Sequence, residues 1–143
     1  MPADAALLTE IPFFHFLDEN ERVSLAAQLE EVQVPEGQVL FNYGEPGDCL
    51  YVIRSGKAEV FFKDDTGTRI VLEIAGAGDV VGELSLLDGG PRTATVVATT
   101  DVKLFALTEW VFRGLLMEHP TIAFRTLEAV AGRLRQATAS AIA

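Results

Sequence analysis

The spacing of apolar residues changes twice along the chain, and these changes separate two helical parts from a middle part of short strands. In the first part, residues 18–32 carry apolar side chains at helical spacing, with Asp18 as a candidate cap and Glu21 placed as in a capping box. Residues 11–17 are densely apolar, and we interpret them as a packed lead-in. The apolar face of the helix would consist of Val23, Leu25, Ala26 and Leu29.

Between residues 31 and 107 the apolar residues fall instead into short runs rich in β-branched and aromatic side chains. The breaks between the runs contain Gly, Pro or Asp, which allow tight turns. Short strands at this regular spacing predict an antiparallel sandwich or jelly roll. The runs read VQV, QVLFNY, CLYVIRS, KAEVFFK, RIVLEIA, ATVVATT and VKLFALT.

Helical spacing returns after the last strand, where Thr108 is a candidate helix cap and Pro120 begins a second helix that we expect to reach residue 139. An apolar stripe on a terminal helix must be buried against the strands, against a ligand, or against the same helix of a second subunit. The stripe consists of Ile122, Phe124, Leu127, Val130, Ala131 and Leu134.

Together these parts predict one mainly β domain over residues 1–143, in which an antiparallel β jelly-roll barrel is flanked by an N-terminal helix and two C-terminal helices. The helical lead-in would occupy residues 1–30, the β roll residues 31–107 and the C-terminal helices residues 108–139. An apolar share of 49% over 143 residues is enough to build such a core.

Charge and cysteine content narrow the range of functions. The net charge of -10, from 11 Lys and Arg against 21 Asp and Glu, argues against a nucleic-acid-binding surface. Cys49 is the single cysteine, which excludes an intrachain disulfide and fits a reducing compartment. Because we find neither a basic leader nor an apolar stretch of about 18 residues, we expect a cytoplasmic protein without a membrane anchor.

Residues 78–97, which read GDVVGELSLLDGGPRTATVV, interrupt the strand pattern with a short helical turn. Gly82 permits close approach of the backbone, and amides at the start of the turn would form an anion cradle. The planar fork of Arg92 suits bidentate contact with a phosphate, and Thr93 adds a hydroxyl and an amide beside it. Glu83 is an acceptor of the kind that binds a ribose hydroxyl.

This segment resembles the phosphate-binding cassette of the cyclic nucleotide-binding domain family, which reads Phe-Gly-Glu-Leu-x-Leu, a short gap and Pro-Arg-Thr/Ser-Ala. Here the two halves are VGELSL at residues 81–86 and PRTA at residues 91–94. Val81 replaces the usual aromatic residue and keeps an apolar packing role. The resemblance extends over roughly residues 8–136 and places the cassette at residues 82–94.

The resemblance implies a role for each residue of the cassette. The phosphate would bind at Arg92, Thr93 and Ala94, and the ribose at Gly82, Glu83 and Leu84. Similarity to bacterial members suggests further contacts with the purine. These are Val60, Leu72 and Ala75 as walls, and Arg133 and Thr138 on the final helix as a lid, although core packing or a solvated helix face would also explain these five residues.

Other chemistry finds little support in the sequence. His15 and His119 form no metal-binding pair, and Ser85 lies outside a GxSxG motif. We therefore expect no catalytic residue, no metal and no cofactor other than a bound nucleotide.

The resemblance implies a regulatory domain like that of bacterial cAMP receptor proteins and cyclic-nucleotide-dependent kinases, without a DNA-binding domain. We predict that it binds cAMP or cGMP and transmits binding through residues 120–139 to an unidentified protein effector or to a second copy of itself. The bacterial character of the composition favours cAMP, although Thr93 could also contact the amino group of a syn guanine. The alternative is a structural or dimerisation domain of the same fold that binds another small effector or none.

Overall fold

Five helices and eight strands make up the part of the chain that the computed structural model describes, residues 4–11, 14–15 and 17–142. The side chains of residue 133 and of residues 136–142 are not described. The helices are α1 Ala5–Leu8, α2 Glu19–Ala26, α3 Glu83–Asp88, α4 Glu109–Glu118 and α5 Pro120–Ile142. The strands are β1 Glu30–Val34, β2 Val39–Phe41, β3 Cys49–Ser55, β4 Ala58–Lys63, β5 Arg69–Ala75, β6 Val80–Val81, β7 Thr95–Ala98 and β8 Val102–Thr108.

The strands pair in two antiparallel sheets of four, in the orders β1-β8-β3-β6 and β2-β7-β4-β5. This arrangement confirms the predicted mainly β jelly roll with helices at both ends. It differs from the prediction in one respect, because the described strands form two separate sheets and do not close into a barrel.

Two hydrophobic clusters bury opposite faces of the first sheet. Ile53 and Leu104 point toward the second sheet and pack with Phe41, Ala58 and Val96 from its strands. Residues from the other face of β3 and β8 pack instead against the helices. The first sheet is therefore a middle layer, with the helices on one side and the second sheet on the other. The helix-side cluster includes Leu50, Val52, Phe105, Leu107, Phe112 and Ile122.

The helix boundaries follow the local signals in the sequence. The Asp18 carboxylate accepts from the Glu21 amide at 2.8 Å, and the Glu21 carboxylate accepts from the Asp18 amide at 2.9 Å, which confirms the capping box. The hydroxyl of Thr108 caps α4, and α5 begins at Pro120, as predicted. Val23 was wrongly assigned to the buried face of α2, since it is exposed while Leu25 is buried.

Candidate functional site

A cavity of about 440 Å³ lies where the second sheet, α3 and α5 meet. Its size falls in the range of pockets for small molecules, roughly 300–1,000 Å³. Most of its wall is apolar, and a charged arginine and two glutamates interrupt that wall. This combination suits a ligand with an apolar ring at one end and polar groups at the other.

The turn that begins α3 depends on a glycine. Gly82 caps the helix with φ of 86°, a left-handed conformation that residues with a Cβ atom adopt only with strain. A Cβ atom at this position would lie 2.5 Å from Nη1 of Arg92 and 3.2 Å from the ring of Phe41. The glycine therefore allows the guanidinium to sit directly against the turn.

Arg92 is the central charged group of the cavity. Its side chain is only 3% exposed, and its Nη1 and Nη2 groups donate to the carbonyl oxygens of Gly82, at 2.8 Å, and Cys49, at 2.6 Å. The guanidinium carbon lies 4.1 Å from the centre of the Phe41 ring. Its Nε–H has no hydrogen-bond partner among the described residues. A buried cation with an unused donor can accept an anion as a further partner.

The loop before β3 fixes the backbone of Arg92. The amide of Arg92 donates to the carbonyl of Glu45 at 2.8 Å, and its carbonyl accepts from the amide of Gly44 at the same distance. The amide of Tyr43 donates to the hydroxyl of Thr95 at 3.0 Å, three residues beyond Arg92. The sequence predicted a turn at this loop, and the structure shows that the hydrogen bonds of the loop hold the backbone of the arginine in place.

Glu83 is the first residue of α3 and is 1% exposed. It lines the same cavity as Arg92, so the wall of the cavity contains a carboxylate as well as a guanidinium. All six residues predicted for phosphate and ribose contacts line this cavity. They are Gly82, Glu83, Leu84, Arg92, Thr93 and Ala94.

The five residues suggested for the base have different positions. Val60 and Leu72 line the cavity on the side of the second sheet. Ala75 does not line it, because its side chain is fully buried in the cluster between the sheets. The side chains of Arg133 and Thr138 lie outside the described residues, although both positions belong to α5.

Sequence reasoning missed several residues of the cavity wall, among them Phe41, Phe62 and Glu73. Phe41 carries no motif, and only the pairing of β2 with β7 brings it to the cassette. Val130 and Leu134 were recognised as part of the stripe on α5, but the sequence left open whether they faced a ligand. Both line the cavity.

Cys49 lies beside the cassette but lacks the properties of a reactive thiol. Burial raises the pKa of Cys49, and the nearby Asp48 carboxylate acts in the same direction. Burial also raises the pKa of Tyr51, and the neighbouring Cys49 acts in the same direction. The thiol is therefore protonated near neutral pH, and protonated thiols are poor nucleophiles.

Two searches of the described residues gave negative results. They contain no group of three or more His, Cys, Asp and Glu side chains arranged to hold a metal ion. None of the described helices has the length and apolar character needed to cross a membrane.

Comparison with known proteins places this chain in a family. Residues 31–119 match the family model described as the cyclic nucleotide-binding domain, so the chain belongs to this family. It is 34% identical over 130 residues to a CRP-like cAMP-activated global transcriptional regulator of Mycobacterium tuberculosis, covering 91% of this chain and 58% of that protein. It is 41% identical over 111 residues to the cAMP-dependent protein kinase regulatory subunit of Aspergillus fumigatus, covering 78% of this chain and 26% of that protein.

A solved structure shows the same architecture with a ligand. It is a mutant of the regulatory subunit of a cAMP-independent protein kinase A from Trypanosoma brucei, bound to cAMP in its A site. The TM-score is 0.75 at 36% sequence identity, with 85% of this chain and 44% of that chain covered. The chain thus spans a little over half of the bacterial regulator and smaller fractions of the kinase subunits.

Proposed function

We propose that this chain is a regulatory, non-catalytic module that binds a cyclic nucleoside monophosphate, with cAMP preferred to cGMP. The observation that carries the proposal is the cavity itself, which is lined by buried Arg92 and Glu83 of the cassette and by the apolar residues Val60 and Leu72 of the second sheet. A cyclic nucleotide has the same distribution of groups, with an anionic phosphate, a ribose hydroxyl and an apolar purine face. The cAMP-bound relative supports the choice of ligand.

Each end of the ligand has a partner of suitable chemistry. The cyclic phosphate would accept from the Nε–H of Arg92 and from the amide and hydroxyl groups of the segment Thr93–Ala94, in contacts strengthened by charge and burial. The ribose 2′-hydroxyl would donate to the Glu83 carboxylate. The purine would lie against Val60 and Leu72, with apolar contacts that remove both surfaces from water.

Helix α5 would convert binding into a signal. Val130 and Leu134 line the cavity, so a bound purine adds contacts to this helix. Leu134 is 66% exposed, which leaves apolar surface for the ligand or the helix to cover. A ligand that contacts α5 favours the helix position with the larger contact area, and this is a shift of population. Removing residues 133–143 should therefore weaken cAMP binding while the far-ultraviolet circular dichroism of the strands is retained.

A second candidate role is dimerisation through residues 120–139. Phe124 and Leu127 on α5 are largely exposed, unlike Ile122, which is buried on the strands. An exposed apolar stripe on a helix is a favourable surface for a second copy of the same helix or for a protein effector. Sedimentation equilibrium with and without cAMP tests this role, because a monomer at all concentrations would exclude the homodimer.

The proposed setting is the cytoplasm, with no contact to nucleic acid by this chain. The net charge of -10 and the single cysteine support these two points.

Titration calorimetry with cAMP and cGMP tests the main proposal. We expect saturable binding of both at one site per chain, with the smaller dissociation constant for cAMP. A folded protein that binds neither ligand would favour the structural role of the domain. Tighter binding of cGMP would still support a cyclic-nucleotide site and would contradict only the proposed preference for cAMP.

A further inference from the structure

The ring of Phe41 lies under the guanidinium of Arg92, at 4.1 Å from the ring centre to the guanidinium carbon. Phe41 stands at the end of β2, far from the cassette in sequence, and reaches it because it pairs with Val96 of β7. It is almost fully buried and lines the cavity next to Gly82. The aromatic face is therefore a third contact of the guanidinium, in addition to the two carbonyl oxygens.

A second aromatic residue holds the Phe41 ring. Tyr51 of β3 stacks on it, with ring centres 6.1 Å apart and an angle of 18° between the planes. Phe41 also belongs to the cluster between the sheets, and Tyr51 packs against that cluster. The ring thus has little freedom to turn away from Arg92.

The attraction between a cation and an aromatic face increases when water is excluded. Arg92 meets this condition, because its side chain is 3% exposed and its two carbonyl partners are neutral dipoles. An aliphatic side chain of similar size would fill the same space without offering a negative face to the guanidinium. The nature of the ring at position 41, as well as its volume, therefore affects where the cation lies.

We propose that Phe41 is a positioning residue that acts through Arg92, so that the electron density of its ring sets the affinity of the cavity for an anionic ligand. The inference rests on the proposed function, since it assumes that Arg92 contacts the cyclic phosphate. It adds a residue outside the cassette to the phosphate-binding apparatus.

Fluorination of the ring provides the test, because it withdraws electron density from the aromatic face with little change of shape. Phe41 is replaced with mono-, di- and trifluorinated phenylalanine in the full chain, and the cAMP dissociation constant is measured by calorimetry. We expect a stepwise loss of affinity with each fluorine, amounting to about 3- to 30-fold across the series. The midpoint of thermal unfolding should fall only slightly, since the packing volume is retained and only the attraction to the guanidinium is weakened.

Phe61 is the matched control. It is also buried, and its ring lies 3.8 Å from the guanidinium carbon of Arg69, but it does not line the cavity. The same fluorine series at this position should leave the cAMP affinity nearly unchanged. An equal loss in both series would overturn the inference, because a general effect of a fluorinated core ring would then explain the loss.

Arg92→Leu separates the inference from the proposed function. If cAMP affinity were constant across the fluorinated Phe41 variants but fell strongly in Arg92→Leu, the positioning role of Phe41 would be overturned and the phosphate site would be supported. A flat series with no loss in Arg92→Leu would overturn both, as would the absence of cAMP binding in the unmodified chain.

Discussion

The proposed phosphate end of the cavity, at the cassette, and the proposed base end, at β5 and α5, are built differently. At the phosphate end, Arg92 and Glu83 are 3% and 1% exposed, and the backbone on both sides of Arg92 is held by hydrogen bonds. At the base end, Leu72 and Leu134 remain partly exposed. A buried charge needs fixed partners, whereas apolar contact has no preferred direction and forms when the ligand arrives. We therefore expect the polar half of the proposed site to be in place before the ligand binds, and the apolar half to be completed by contacts with the ligand and α5.

Among the substitutions at the two ends, removal of the cation at the phosphate end should weaken cAMP binding most. Arg92→Leu is expected to weaken cAMP binding by about 2 to 4 kcal/mol, since the phosphate loses a desolvated ionic partner. Calorimetry of the folded variant measures this loss. Arg113→Leu is the control, because Arg113 is an exposed residue of α4 that pairs with Glu109, and its loss should not change affinity. Wild-type affinity in Arg92→Leu would rule out the phosphate role.

A smaller effect is expected at the ribose contact. A 2′-deoxy cyclic nucleotide should bind about 1 to 3 kcal/mol more weakly than its ribose counterpart, because the buried Glu83 carboxylate loses a donor. Glu83→Ala should remove most of this difference, as measured by calorimetry with both ligands. Equal affinities of the unmodified chain for the two ligands would exclude the ribose role.

The next largest loss of cAMP affinity should come from disturbing the contact between the turn at Gly82 and the guanidinium of Arg92. Gly82→Ala places a Cβ atom 2.5 Å from Nη1 of Arg92, so the guanidinium must shift, and we expect about a 10-fold loss of cAMP affinity, near 1.4 kcal/mol. The control is Gly37→Ala, where φ is also positive at 87° but the added Cβ atom meets nothing within 4 Å.

Both alanine variants should lose about 1 to 2 kcal/mol of stability from left-handed backbone strain, and Gly82→Ala should lose more because its Cβ atom also displaces the guanidinium, as measured by urea unfolding. If Gly37→Ala reduced affinity as much as Gly82→Ala, strain alone would explain the loss and the contact with Arg92 would be irrelevant.

The smallest effect is expected at the base end. Leu134→Ala should weaken cAMP binding by about 0.5 to 1 kcal/mol, because the side chain is 66% exposed and gains only partial burial from the ligand. Leu127→Ala is the matched control, since Leu127 is 62% exposed on the same helix and does not line the cavity. Identical affinities of the two variants would argue that α5 makes no contact with the base.

The sequence predicted most of the fold because local signals and tertiary packing agree in this chain. Each of the seven apolar runs became a strand, and the cap residues Asp18 and Thr108 begin α2 and α4. The elements that were missed, α1 and β6, are four and two residues long, too short to show a periodic pattern.

The sequence also identified the residues at one end of the cavity better than those at the other. The cassette is one continuous segment, so its motif located six residues that all line the cavity, while their phosphate and ribose roles remain predictions. The base end is assembled from separate strands and α5. Alternation along a strand cannot decide which buried face borders a ligand, and this is why Ala75 was placed in the wall although it lies in the core. Phe41 and Phe62 were missed for the same reason.

The central claim is that the phosphate end of the site is ordered before the ligand binds, whereas the base end is completed by the ligand. Hydrogen exchange with and without saturating cAMP tests this claim most directly. We expect the ligand to slow exchange of the amides in residues 120–139 more than exchange of the amides of Arg92 and Gly44. These two amides are already hydrogen-bonded without ligand, since Arg92 donates to the carbonyl of Glu45 and Gly44 donates to the carbonyl of Arg92. Unchanged exchange throughout residues 120–139, with the cassette alone protected by the ligand, would contradict it.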